Sequence, residues 1–230
     1  MPTIDHFLSE ATRRLAASSP TPRLDAEVLA THVTGLSRTQ LITHAGDPLT
    51  AERRSRLDQL VARRARGEPV AYITGRREFW SMEFTVTPDV LIPRPETELL
   101  VEQALARIPA DAGWSVVDLG TGSGAVAIAI ARERPGCRVL AIDASPAALA
   151  VARANAQRLG IGNVEFRHGD WFAPLTGERV EMLVSNPPYV AAGDPHLEQG
   201  DVRFEPRAAL AAGADGLATI RILAAGAGTH

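Results

Sequence analysis

Lysine is missing from this 230-residue sequence, and all 24 basic residues are arginines. A P-loop needs a lysine to reach its nucleotide phosphates, so the absence excludes that chemistry together with any mechanism built on a lysine amine. Cysteine is almost missing as well. Cys137 has no partner for an intramolecular disulfide, and the six histidines lie at no zinc-ligand spacing, so no disulfide framework and no metal site are expected. A reducing cytoplasm fits that usage. No apolar run reaches the roughly 18 residues of a membrane span. Met1-Pro2-Thr3-Ile4-Asp5 also lacks the basic start and apolar stretch of a signal peptide.

What is present is a chain with 45% hydrophobic residues, enough for a sizeable core. Alanine is the commonest residue, which with the arginine-only basic set reads as genome-composition bias. The net charge of −3 argues against a protein that holds nucleic acid by bulk electrostatics. The charge is uneven: residues 1–80 carry 12 Arg against 9 acids, and residues 81–230 carry 12 Arg against 18.

Ile4, Phe7, Leu8, Ala11 and Leu15 recur at helical spacing, as do Leu24, Val28, Leu29, Val33 and Leu36 behind a Thr21-Pro22 start signal. Leu57, Leu60 and Val61 mark a third helix. Residues 1–75 therefore read as a small helical bundle. Its last long helix carries Arg53, Arg54, Arg56, Arg63, Arg64 and Arg66, either a solvated face or a docking surface for an acidic partner or RNA. Residues 76–95 read as a β-hairpin linker with strand-like runs at Phe79-Trp80, Phe84-Thr85-Val86 and Val90-Leu91-Ile92. An amphipathic helix opens at Glu96.

From residue 96 onward strand and helix alternate. Strands are expected at 114–119, 138–142, 163–167 and 180–184, with helices at 125–133 and 146–159. That order implies an α/β fold with a parallel sheet covered by helices, in which ligands bind beyond the carboxyl ends of the strands.

Asp118-Leu119-Gly120-Thr121-Gly122-Ser123-Gly124 falls where the first of these strands turns into a helix. Glycines there let the backbone approach a ligand, although a glycine turn is also a common structural joint. Asp143, at the end of the next strand, is placed to accept hydrogen bonds from both hydroxyls of a ribose. The spacing Gly-x-Gly-x-Gly is not the dinucleotide fingerprint. It resembles the first motif of the Rossmann-like S-adenosylmethionine-dependent methyltransferases.

Asn186-Pro187-Pro188-Tyr189 follows the apolar strand Met182-Leu183-Val184. The prolines hold their neighbours extended, so the Asn186 side-chain oxygen and the Pro187 carbonyl can accept both N–H bonds of one planar NH2 group. Such a grip aims a delocalised nitrogen lone pair at a methyl donor and stabilises the positive charge that develops. Tyr189 can pack against the flat substrate group, and Gly169-Asp170-Trp171 can meet an adenine. His168 is assigned a structural or solvated role.

The chain resembles the protein-(glutamine-N5) methyltransferases that modify peptide-chain release factors, over nearly its whole length. The resemblance runs through Glu68 to Gly75, Phe79 to Phe84, Leu91-Ile92-Pro93-Arg94-Pro95-Glu96-Thr97-Glu98, Asp118 to Gly124, Asn186 to Tyr189, and Glu205 to Leu210 with Gly213, Asp215 and Gly216. It implies methyl transfer from S-adenosylmethionine to the Gln side chain of a Gly-Gly-Gln loop in bacterial class-1 release factors. By position, Gly120, Thr121, Gly122, Ser123 and Gly124 would wrap the methionine end of the cofactor, Asp143 the ribose and Trp171 the adenine region. Asn186 would bridge cofactor and substrate, with Pro187, Pro188 and Tyr189 completing the glutamine pocket. The bundle would dock the release factor. No stable nucleic acid or membrane partner is expected, and the expected state is a monomer.

The resemblance departs at the end. Family members continue for about one further helix and three strands, so a sheet incomplete at its C-terminus, an exposed strand at 182–184, weak cofactor binding and poor turnover are expected here. Two alternatives share the motif. One is methylation of adenine N6 or guanine N2 in nucleic acid, disfavoured by the acidic second half; the other is an inactive binding module.

Overall fold

The structure is a computed structural model and describes residues 3–229. The chain divides into two compact units, residues 1–75 and 76–230.

The described residues of the first unit form five helices, α1 (Ile4–Leu15), α2 (Pro22–Thr34), α3 (Arg38–Thr43), α4 (Ala51–Ala65) and α5 (Val70–Thr74). The three long ones coincide with the apolar periodicity. α3 and α5 are too short to show a period, and Ser37 starts α3 through a capping box with Gln40. Phe7, Leu15, Leu29, Leu41, Leu57 and Val61 close the core. Thr21 occupies the cap position of α2, but its hydroxyl donates to Asp25 rather than capping the helix.

The arginines of α4 are neither simply solvated nor simply a docking face. Arg54 reaches Asp58 and Glu10, Arg63 reaches Glu68, and Arg64 is buried against Asp25 at 2.6 Å. Half of the expected basic face is thus turned onto carboxylates inside the unit, while Arg53 and Arg56 stay exposed. Asp58 and Glu68 lie four and five residues along the chain from their arginines, whereas Glu10 and Asp25 come from α1 and α2, and no helical periodicity announces those two pairings.

The second unit opens with an antiparallel hairpin, β1 (Arg76–Phe79) and β2 (Met82–Thr85). Trp80 and Ser81 form the turn with φ of 52° and 53°, the primed geometry that matches strand twist. The expected third strand at Val90-Leu91-Ile92 is absent. Residues 86–94 are an irregular loop that Pro88 and Pro93 withhold from ladder pairing. The helix expected from Glu96 begins as a 3₁₀ turn over Pro95–Thr97, and α6 spans Glu98–Leu105.

A four-stranded parallel sheet follows, built of β3 (Ser115–Leu119), β4 (Arg138–Asp143), β5 (Val164–His168) and β6 (Met182–Ser185) in the order β5-β4-β3-β6. The helices α7 (Ala125–Glu133), α8 (Pro146–Leu159) and α9 (Ala218–Gly226) complete the unit. Alternation sorts the two sheet faces. Val116, Val139 and Ala141 pack with residues of α6, α7 and the hairpin, whereas Val117, Leu119, Leu140 and Ile142 pack with Leu175, Trp171, Phe172 and Leu223 of α9. Among the described residues β6 pairs with β3 alone and forms one edge of the sheet.

Candidate active site

The strand order changes direction at β3. The next strand lies on one side and β6 on the other, and the crevice at their carboxyl ends is where such sheets bind ligands. The glycine turn and Asn186 both emerge there.

The turn is held by β4. Gly120 and Thr121 donate their N–H groups to the Ile142 carbonyl at 2.9 and 3.0 Å, and Gly122 donates to Asp143 Oδ2 at 2.8 Å. Gly120 has φ of 75°, and a Cβ on it would meet the Trp171 ring at 3.7 Å, so the turn passes close over the indole. Gly124, at φ of 82°, has a different task. A Cβ there would press on Ile128 and Ala152 at 3.0 and 3.1 Å, so this glycine lets α7 and α8 approach each other.

Asp118 sits fully buried beneath the turn and accepts the Thr121 hydroxyl at 2.7 Å. Burial pushes its carboxyl up to about 6, against the lowering effect of the Thr121 hydroxyl and the Ala127 N–H. Asp143 accepts from Gly122 through one oxygen and from Ser145 N–H through the other, both at 2.8 Å. Each carboxylate oxygen keeps a lone pair for a further donor. Trp171 has φ of 44°, unusual for a bulky residue, and holds its ring at the site on a strained backbone.

Asn186 follows β6 directly. The Ser185 hydroxyl donates to the Leu119 carbonyl at 2.7 Å, locking the end of β6 to the end of β3. The loop beyond Asn186 is fastened by the chain around residue 211: Val190 N–H donates to Leu210 and Ala212 N–H to Val190. Gly216 is required where it stands, because a Cβ would lie 2.5 Å from the Tyr189 carbonyl.

These elements enclose a cavity of about 340 Å³. Gly120, Thr121, Gly122, Ser123, Asp143, Trp171, Asn186 and Pro188 line it, as does Asp170. Gly124, Pro187 and Tyr189 do not, and Tyr189 is 65% exposed. Among the described residues no cluster of metal-ligating side chains occurs. His168 is exposed, with its ring 3.1 Å from the Ala144 carbonyl.

Three further parts of the wall carry no chemical pattern of their own in the sequence. The loop from Asp89 to Pro93 contributes one side, Thr97 stands beside Asn186, and Pro206, Ala208 and Ala209 contribute another. Arg94 and Glu205 tie two of these segments together through an ion pair in which the glutamate is completely buried. Leu91 to Thr97 and Pro206 to Ala209 belong to segments that carry the family resemblance, whereas Asp89 and Val90 do not.

Comparison with known proteins agrees with this layout. Residues 6–75 match the family described as PrmC N-terminal domain, and residues 95–202 match the methyltransferase small domain. The release factor glutamine methyltransferase of Burkholderia pseudomallei is 56% identical over 93% of this chain and 77% of its own length. The protein of that name from Xylella fastidiosa strain Temecula1 is 51% identical over 100% of this chain and 82% of its own. A solved RNA methyltransferase from Salinibacter ruber, in complex with S-adenosyl-L-homocysteine, is 33% identical over 41% of this chain and 58% of that one, with a TM-score of 0.34. With both halves matched and half of all positions shared along nearly its full length, the chain belongs to the release factor glutamine methyltransferase family.

Proposed function

We propose that this protein methylates the side-chain amide nitrogen, N5, of the glutamine in the Gly-Gly-Gln motif of bacterial class-1 release factors. The observation that carries the reading is the position of Asn186, on the wall of the same cavity as the glycine turn and Asp143. S-adenosylmethionine is the cofactor, and the residues fit it. A turn without Cβ atoms at Gly120 and Gly122 admits the amino-acid end, Asp143 offers acceptor lone pairs to ribose hydroxyls, and Trp171 offers an aromatic face to the adenine region.

When bound, the cofactor supplies an electrophilic methyl group on a positively charged sulfur. The chain holds the nucleophile. Asn186 Oδ1 and the Pro187 carbonyl accept the two N–H bonds of the substrate amide and fix its plane. Positive charge developing on that nitrogen during methyl transfer would be stabilised by the same two oxygens. The nitrogen then sheds one proton to water, so no strong base is required. Pro188 lines the cavity behind Asn186, and Tyr189 presents an exposed ring to the incoming protein substrate. The helical unit supplies part of the docking surface for the release factor, with Arg53 and Arg56 outward on α4, and the enzyme works as a monomer with no stable nucleic-acid partner.

The test is methyl transfer from labelled cofactor to purified release factor, RNA and DNA in parallel, followed by peptide mapping. One methyl group on the Gly-Gly-Gln glutamine is expected. Asn186→Ala should lower kcat by roughly 10²-fold or more, the scale of a lost transition-state hydrogen-bonding group. Labelling of nucleic acid alone, or of another release-factor residue, refutes the proposal.

A further inference from the structure

An asparagine amide has an acceptor end and a donor end of nearly the same shape. The chemistry proposed above needs the acceptor, Oδ1, toward the substrate. Something must therefore hold Nδ2 on the other side, or the side chain spends part of its time turned with a donor facing a donor.

Thr97 stands there. Asn186 Nδ2 donates to Thr97 Oγ1 at 3.4 Å, and both residues line the cavity. A bond of that length is weak in a free enzyme and is of the kind that tightens when the substrate complex forms. Thr97 is itself fixed from both sides. Thr97 N–H donates to the Arg94 carbonyl at 3.0 Å in the Pro95–Thr97 turn. On the N-terminal side Arg94 is paired with buried Glu205. On the C-terminal side the Glu98 carboxylate accepts the N–H of Trp80, the residue at φ of 52° in the hairpin turn, at 2.8 Å. Prolines at 93 and 95 restrict the chain between these anchors. These bonds and prolines fix the backbone on either side of Thr97, which is itself half-buried.

We infer that Thr97 is a positioning residue that fixes the orientation of the Asn186 amide and so presents Oδ1 to the substrate nitrogen; the inference rests on the glutamine reading above. Thr97→Val keeps the shape and removes the hydroxyl, and Thr97→Ser keeps the hydroxyl and trims the methyl. Thr97→Val should lower kcat by about tenfold while KM for release factor and the dissociation constant for the cofactor change by less than about threefold. Thr97→Ser should recover kcat to within about threefold of wild type. A second readout needs no turnover: the Asn186 side-chain NH2 resonances, identified by their loss in Asn186→Ala, should shift in Thr97→Val and stay near wild type in Thr97→Ser.

Wild-type kcat in Thr97→Val overturns the inference. So does a Thr97→Ser variant as slow as Thr97→Val, or a defect confined to cofactor affinity, which would make Thr97 a cofactor contact instead. A wild-type chain that is inert toward release factor while active on nucleic acid overturns the reading beneath. That result is distinct from an active wild type with an unaffected Thr97→Val, which overturns this inference alone.

Discussion

Asp118 shows how a single buried carboxylate couples the site to pH. Its folded-state value is raised from 3.8 to about 6, chiefly by burial, so the folded protein holds this proton more tightly than the unfolded chain does. The associated stability is fully present below about pH 4 and is lost as the pH rises toward about 6. Asp118→Asn keeps an acceptor for the Thr121 hydroxyl without the charge. The fall in unfolding free energy between pH 4 and pH 6 should therefore be smaller in Asp118→Asn than in wild type, measured by denaturant titration at each pH. Glu205 is raised by burial too and contributes in the same direction, so the difference between the two proteins isolates Asp118. An identical slope in both would show that burial of Asp118 is not the cause. Most of the residues around it were legible in the sequence, because Gly120 to Gly124 and Asn186-Pro187-Pro188-Tyr189 are contiguous runs whose backbone requirements are local. Placing Tyr189 outside the cavity was not, since that depends on the chain near Gly216 pressing against its carbonyl.

At the scale of the element, the contrast lies between buried and exposed ion pairs. Asp25 on α2 accepts from Ser19, Thr21 and Arg64, and both members of the Asp25–Arg64 pair are buried. Asp25→Ala takes away the carboxylate that offsets the buried guanidinium and should destabilise the protein by about 3–5 kcal/mol. Glu83→Ala removes an exposed partner of Arg76 across the hairpin and should cost at most about 1 kcal/mol. Chemical denaturation of the two variants beside wild type checks the ranking, and equal losses would overturn it. The long helices were evident from their apolar spacing, because burying one face selects for a period of 3.6. The pairing of α4 with α1 and α2 carries no such mark. The segment Val90-Leu91-Ile92 looked like a strand for a related reason: Val90 and Ile92 are buried, but outside any ladder, and Val90 and Leu91 line the cavity.

At the scale of the whole molecule, the unit of residues 1–75 has its own core of Phe7, Leu15, Leu29, Leu41, Leu57 and Val61, and a matched family domain covers residues 6–75. A fragment of residues 1–75 should therefore fold by itself and unfold cooperatively, as read by circular dichroism on heating and by dispersion of its amide resonances. A fragment with helix but no cooperative transition would show that the second unit is needed. The sequence reads as a bundle, a linker over 76–95 and an α/β part, whereas contacts group residues 76–95 with the second unit, because a hairpin's packing partners are set by tertiary contacts and not by its own periodicity.

The sequence by itself determined the alternating order of strands and helices, the glycine turn, the acidic residue at the end of the next strand and the Asn-Pro-Pro-Tyr segment. Each of these is written within a few residues and obeys the stereochemistry of a short stretch of backbone. The tertiary structure alone decided that Thr97 meets Asn186, that Arg94 meets Glu205, and that Arg54 and Arg64 of α4 meet Glu10 and Asp25. Thr97 and Asn186, like Arg94 and Glu205, are separated by some ninety residues or more of chain. Such pairs exist only once burial has brought distant segments together, so no local pattern can encode them.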